Sequence, residues 1–185
     1  MLSRLSTWLL KISGWQIKGD FPDLKKYIIV GAPHTSNWDF VIAILIKFSR
    51  KLNANYLIKK EWLRYPLGWF IKWSGGIPVD RKQSEGKVEA IARTCREAEQ
   101  FVVGIAPEGT RQRVDKISHG FYHIARLAQV PLVFIRMDFG NRCYDILPPF
   151  FLSGDAEADL EKIMAVFQGI QGKHPEMSIF STPTK

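Results

Sequence analysis

The chain has 185 residues, a length that suits one domain with a substantial buried core. A composition that is 46% hydrophobic and 24% charged excludes a disordered chain. A net charge of +8 points to an anionic partner: a membrane surface, a phosphorylated substrate or nucleic acid.

Residues 1–14 read as an amphipathic helix that Gly14 stops. Leu2, Leu5, Trp8, Leu9 and Ile12 share one face, and Leu10 points away from it. Lys11 interrupts the apolar core that a secretion signal would need. Nowhere do about 18 apolar residues run together to span a bilayer. Two readings remain open: a helix docked on a soluble domain, or one lying in a membrane plane with Trp8 and Trp15 at headgroup depth.

Residues 15–170 read as one domain, with 171–185 as a tail. Trp15 to Gly19 alternates as a short edge strand would. Tyr27 to Val30 is β-branched without alternation, the pattern of a strand covered on both faces. It runs into Gly31-Ala-Pro-His-Thr-Ser-Asn-Trp-Asp39 and a helix from about Asn37 to Arg50. Ser36 and Asp39 have the spacing of a capping box. On a continuous helix, positions five apart point about 140° away from each other. His34 and Asp39 therefore meet only if His34 is still in the turn and Asp39 reaches back from the first helical turn.

Asn55 to Ile58 predicts the next strand, ending in Lys59, Lys60 and Glu61. The segment from Trp62 to Trp73 is aromatic, and Pro66 is placed to open a helix. Trp69, Phe70 and Trp73 share a face there. They are either packing and membrane-contact residues or one wall of an apolar pocket for a hydrocarbon chain. Gly75 and Gly76 precede an extended Ile77-Pro-Val79, with Arg81 beyond it as a solvated base or a phosphate clamp. A charged helix over 85–100 and a covered strand at Phe101–Ala106 lead to the turn Pro107-Glu-Gly-Thr-Arg111. In α/β folds, loops at strand ends are the usual place for ligands. His119 and His123 have i, i+4 spacing but lack the acids or cysteines that would complete a metal site, so no metal is expected. A helix to about Gln129, strands at 130–135 and 142–147, and a helix over 155–169 complete an alternating β and α pattern. Cys95 and Cys143 lie far apart and read as buried reduced thiols.

Four pieces in order resemble the motif series of the glycerolphosphate and 1-acylglycerol-3-phosphate (lysophosphatidic acid) acyltransferase superfamily. They are His34 to Asp39, Gly76 to Arg81, Glu108 to Arg111, and the apolar run Val130-Pro-Leu-Val133. The resemblance covers residues from about 15 to about 150. It implies a single α/β domain with a mixed, largely parallel sheet flanked by helices. It also implies transfer of a fatty acyl group from a thioester of coenzyme A or acyl carrier protein to a glycerol-phosphate or lysophospholipid hydroxyl. With no long hydrophobic anchor, this would be a short member, peripheral or monotopic on the cytoplasmic side of a membrane.

On that resemblance His34 is the general base and Asp39 the acid that fixes its tautomer, as in a serine-hydrolase triad with the acceptor hydroxyl replacing serine. Glu108, Gly109, Thr110 and Arg111 hold the acceptor, with Arg81 a further phosphate contact. Backbone groups near Gly75 or Gly76 are candidates for the oxyanion. No cofactor is implied beyond the acyl thioester as co-substrate. The alternatives are a non-catalytic lipid-binding protein at a membrane, or transfer to a different acceptor such as an amino-lipid. Nucleic acid is disfavoured, because the basic residues form no single stripe and the aromatics sit in apolar runs. No G-x-S-x-G elbow supports a serine hydrolase.

Overall fold

The computed structural model describes residues 1–64, 66–79 and 86–180. Seven strands form one sheet in the order β1-β7-β6-β2-β5-β3-β4. They are β1 Gln16–Lys18, β2 Lys26–Ala32, β3 Asn55–Lys59, β4 Gly76–Val79, β5 Phe101–Ile105, β6 Leu132–Asp138 and β7 Cys143–Ile146. The five strands from β6 to β4 are parallel; β7 returns antiparallel to β6, and β1 pairs parallel with β7. This is the mixed, largely parallel sheet that the sequence predicts.

Alternation along β2 explains the three layers. Ile28, Val30 and Ala32 face one side, while Tyr27 and Ile29 face the other. The first side packs on α4 (Lys87–Glu97), α5 (Gly120–Ala128) and α6 (Ala156–Phe167). The second packs on α2 (Asn37–Ser49) and α1 (Leu2–Ile12), with α3 (Leu67–Trp73) against the β3–β4 end. Parallel strands need helices on both faces, which is why β2 carries an unbroken apolar run. Cys95 and Cys143 are buried free thiols.

One of the two open readings of residues 1–14 falls, and one expectation changes. The apolar face of α1 does not dock on the domain. Leu2, Leu5, Trp8 and Ile12 are all exposed, whereas Ser6 and Leu10 are buried. The helix lies on α2 through Leu10, beside Ile42 and Ile46, and through a hydrogen bond from Ser3 Oγ to the Ser49 carbonyl at 3.1 Å. Small side chains allow this close approach, and they leave the apolar stripe outward.

Residues 171–180, expected as part of a tail, are part of the domain. Phe180 is 0% exposed, its ring centroid 5.3 Å from that of Phe167. A single aromatic in a Pro- and Ser-rich stretch has no periodicity to announce it. It is nonetheless the residue that closes the core between α6 and the sheet.

Candidate active site

The site begins where β2 ends. The chain turns through residues 33–36 and enters α2, capped by Ser36 in extended conformation (φ −149°, ψ 161°). Ser36 Oγ accepts the Trp38 N–H at 3.2 Å, and the Asp39 carboxylate accepts the Ser36 N–H at 2.8 Å. The same oxygen, Asp39 Oδ2, accepts the Thr35 N–H at 2.7 Å and lies 3.1 Å from His34 Nδ1. Capping box and His–Asp pair therefore coexist, because His34 stays in the turn and Asp39 reaches back from the first helical turn. Asp39 is 3% exposed and the His34 side chain 24% exposed. With Nδ1 directed at a buried carboxylate, the imidazole holds its proton on Nδ1 and keeps Nε2 as the acceptor nitrogen.

β5 lies beside β2 in parallel register, Val30 opposite Ile105, so the loops after both strands leave the sheet side by side. Glu108 in the second loop accepts the His34 N–H through Oε2 at 2.6 Å. Three successive amides, from His34 to Ser36, are thus held by two carboxyl groups. Burial pushes the Glu108 carboxyl up to about 8; the His34 N–H opposes that shift and the nearby Asp39 charge adds to it. Among the described residues, Asp39 Oδ1, Glu108 Oε1 and Arg111 Nε are buried without hydrogen-bond partners. The Arg111 guanidinium lies over the Trp62 ring, 5.2 Å from its centroid.

His34 and Asp39 line a cavity of about 770 Å³. Its walls include Phe40, Ile44, Leu57, Leu67, Phe70 and Met137, and Lys47 and Leu52 near the far end of α2 also line it. This size and apolar lining suit a small-molecule site. Gly109, Thr110 and Arg111 line it, as does Lys59. Gly109 has φ +65°, so the turn that presents Thr110 and Arg111 needs a residue without Cβ strain.

A family model described as Acyltransferase matches residues 16–138, more than half of the chain. The chain belongs to the acyltransferase family. Among curated proteins, none has a sequence that matches this acyltransferase. Its fold is similar to the crystal structure of the 1-acyl-sn-glycerophosphate (LPA) acyltransferase PlsC from Thermotoga maritima. That likeness has a TM-score of 0.59 at 16% identity, covering 88% of this chain and 73% of PlsC. The superfamily and fold class read from the motifs are borne out.

Several residues of the acyltransferase sit differently from their sequence reading. Glu108, expected to hold the acceptor, is 7% exposed, turned toward the His34 backbone and absent from the cavity wall. Of the three aromatics proposed as a pocket wall, Phe70 alone lines the cavity. Trp69 and Trp73 are 74% and 54% exposed and stack on each other with centroids 6.2 Å apart. The reason is that α3 buries Gly68 and Ile71, which turns positions 69 and 73 outward.

Gly75 and Gly76 do not reach the oxyanion: β4 is three strands from β2, Gly76 is level with Tyr56, Gly104 and Ile29, five residues before His34, and neither glycine lines the cavity. Gly76 is required there because a Cβ would sit 2.4 Å from Ile71 Cγ2. Arg81 lies outside the described residues. Among the described residues no group of three or more His, Cys, Asp or Glu is placed to hold a metal, and His119 and His123 gain no third ligand.

Lys59 and Trp62 were legible only as the end of β3 and the start of an aromatic run. That Lys59 closes a strand was the usable signal. Lys47 carried no signal. Its Nζ donates to the Ser74 carbonyl at the C-terminal end of α3, and burial pulls its pKa down.

Proposed function

We propose that the chain transfers a fatty acyl group from an acyl thioester, on coenzyme A or acyl carrier protein, to the hydroxyl of a glycerol-phosphate or lysophospholipid-type acceptor. The observation that carries this reading is the His34–Asp39 pair lining an apolar cavity that Arg111 and Lys59 also line. The acceptor hydroxyl gives its proton to His34 Nε2 as its oxygen attacks the thioester carbonyl carbon. Asp39 stabilises the imidazolium that forms, at no cost in reorganisation, since it already accepts from Nδ1. Collapse of the tetrahedral intermediate breaks the C–S bond, and the departing thiolate takes the proton back. Each methylene buried in the cavity contributes about 0.8 kcal/mol to holding the chain. Arg111 and Lys59 supply positive charge for an acceptor phosphate.

With either acceptor the acylated product is a lipid, and the outward face of α1 suits a membrane surface. Leu5, Trp8 and Ile12 are exposed together with Trp69 and Trp73 of α3 and Trp38 and Val41 of α2. Peripheral docking through these residues requires no spanning segment. Among the described residues no helix is long and apolar enough to cross a membrane.

Release of free thiol from an acyl thioester, measured with a mixed pool of lysolipid and glycerol-phosphate acceptors, tests the reaction. His34→Ala is expected to lower turnover by about 10²- to 10⁴-fold. A folded His34→Ala protein with most of the wild-type turnover refutes the base. Lipid binding without thiol release refutes catalysis and leaves a lipid-binding protein. Mass spectrometry of the products distinguishes glycerolipid acceptors from amino-lipids.

A further inference from the structure

We propose that Glu108 is a positioning residue for His34, clamping the loop that carries the base by accepting its backbone N–H, and not a residue that grips the acceptor. This rests on the reading of His34 as the base. Three observations carry it. Glu108 Oε2 lies 2.6 Å from the His34 nitrogen, a short bond for an N–H donor. The side chain is buried and takes no part in the cavity wall, whereas its neighbours Gly109, Thr110 and Arg111 do. Finally, the contact joins loops from adjacent strands, so it ties His34 to a part of the framework other than its own helix.

The division of labour follows from which atoms are held. Asp39 Oδ2 takes the His34 ring and the Thr35 and Ser36 amides, all toward α2. Glu108 takes the one amide on the strand side of that loop. Without it the ring remains paired to Asp39, but the Cα of His34 is free to shift. A misplacement of about 1 Å in a catalytic group can cost about 10²-fold in rate. The groups around Glu108 are the His34 amide and the Asp39 carboxylate, and burial favours its uncharged form beside that carboxylate. An uncharged carbonyl oxygen is sufficient to accept the amide, so a carboxamide replaces the carboxyl.

The experiment compares wild type, Glu108→Ala, Glu108→Gln and His34→Ala as purified full-length proteins. Thiol release gives kcat and acceptor KM, and amide hydrogen exchange is read at His34. Glu108→Ala is expected to lower kcat by about 10²-fold while acceptor KM moves by less than about twofold. Glu108→Gln is expected to recover most of that loss. The His34 amide exchanges fast in Glu108→Ala and stays protected in wild type and Glu108→Gln. A rise of about tenfold in acceptor KM with kcat held would mean an acceptor grip and overturn the proposal. So would unchanged His34 protection in Glu108→Ala. A folded Glu108→Gln protein as slow as His34→Ala overturns it without the Ala variant. Full turnover in His34→Ala instead refutes the base, and the exchange data still judge the clamp separately.

Discussion

Replacing Glu108 by Gln should stabilise the protein, and by an amount that depends on pH. In the unfolded chain the carboxyl ionises near its ordinary 4.5; in the folded protein burial holds it at about 8. Between those values only the unfolded chain releases the proton, so the unfolded state binds fewer protons and stability falls as pH rises. Below about pH 4.5 both states are protonated and the residue costs nothing; above about pH 8 the penalty is constant. Each pH unit in that window is worth about 1.4 kcal/mol, which gives about 3 kcal/mol at pH 7. Gln cannot ionise and escapes the penalty, while His34, Asp39 and Arg111 are common to both proteins. Urea unfolding with linear extrapolation, run at several values from pH 4.5 to pH 8, should show the Gln variant pulling ahead of wild type as pH rises. Parallel stability curves would refute the buried, uncharged carboxyl. A wild-type advantage growing with pH would show instead that the folded state holds the charge.

Three further outcomes are expected. Arg111→Ala removes a charge-assisted hydrogen bond worth about 1.5–3 kcal/mol, so KM for a phosphorylated acceptor should rise by about 10- to 100-fold with a smaller change in kcat. An unchanged KM would assign Arg111 to supporting its loop over Trp62. Trp8→Ser combined with Trp69→Ser alters two exposed side chains. It should change unfolding free energy by only about 0.5 kcal/mol each yet reduce co-sedimentation with anionic phospholipid vesicles; undiminished pelleting would count against the docking face. Phe180→Ala should cost about 3–5 kcal/mol in urea unfolding, and a loss near zero would show that the final segment is dispensable to the core.

The alternation of strands and helices was readable because the covered strands advertise themselves. Tyr27 to Val30 and Phe101 to Val103 are apolar without a break, and each is followed by polar turn residues. The His34–Asp39 meeting was readable as well, since Ser36 sets where the helix starts and five residues of spacing do the rest. Directions in space were not. The wheel of α1 shows that Leu5, Trp8 and Ile12 share a face, but only the neighbour decides whether that face is covered, and α2 takes Ser6 and Leu10 instead. Gly75 and Gly76 were candidates for the oxyanion, but strand order and register leave them three strands from β2 and level with Ile29. Glu108 belonged to a motif with a substrate role attached, and its inward turn depends on an amide from a loop that is remote in sequence.

The side-by-side register of β2 and β5 carries one more implication. The His34 imidazole and the Arg111 guanidinium are carried by the loops after neighbouring strands, whose separation is fixed at about 4.8 Å by backbone hydrogen bonding. Evolution cannot slide one along independently of the other without breaking the ladder. On the proposed function, a shift to a larger or smaller headgroup would come from exchanging side chains of different reach at cavity-lining positions such as Lys59, Thr110 and Arg111. Attempts to redesign the acceptor range should vary arm length on a rigid comb, leaving the spacing of its teeth untouched.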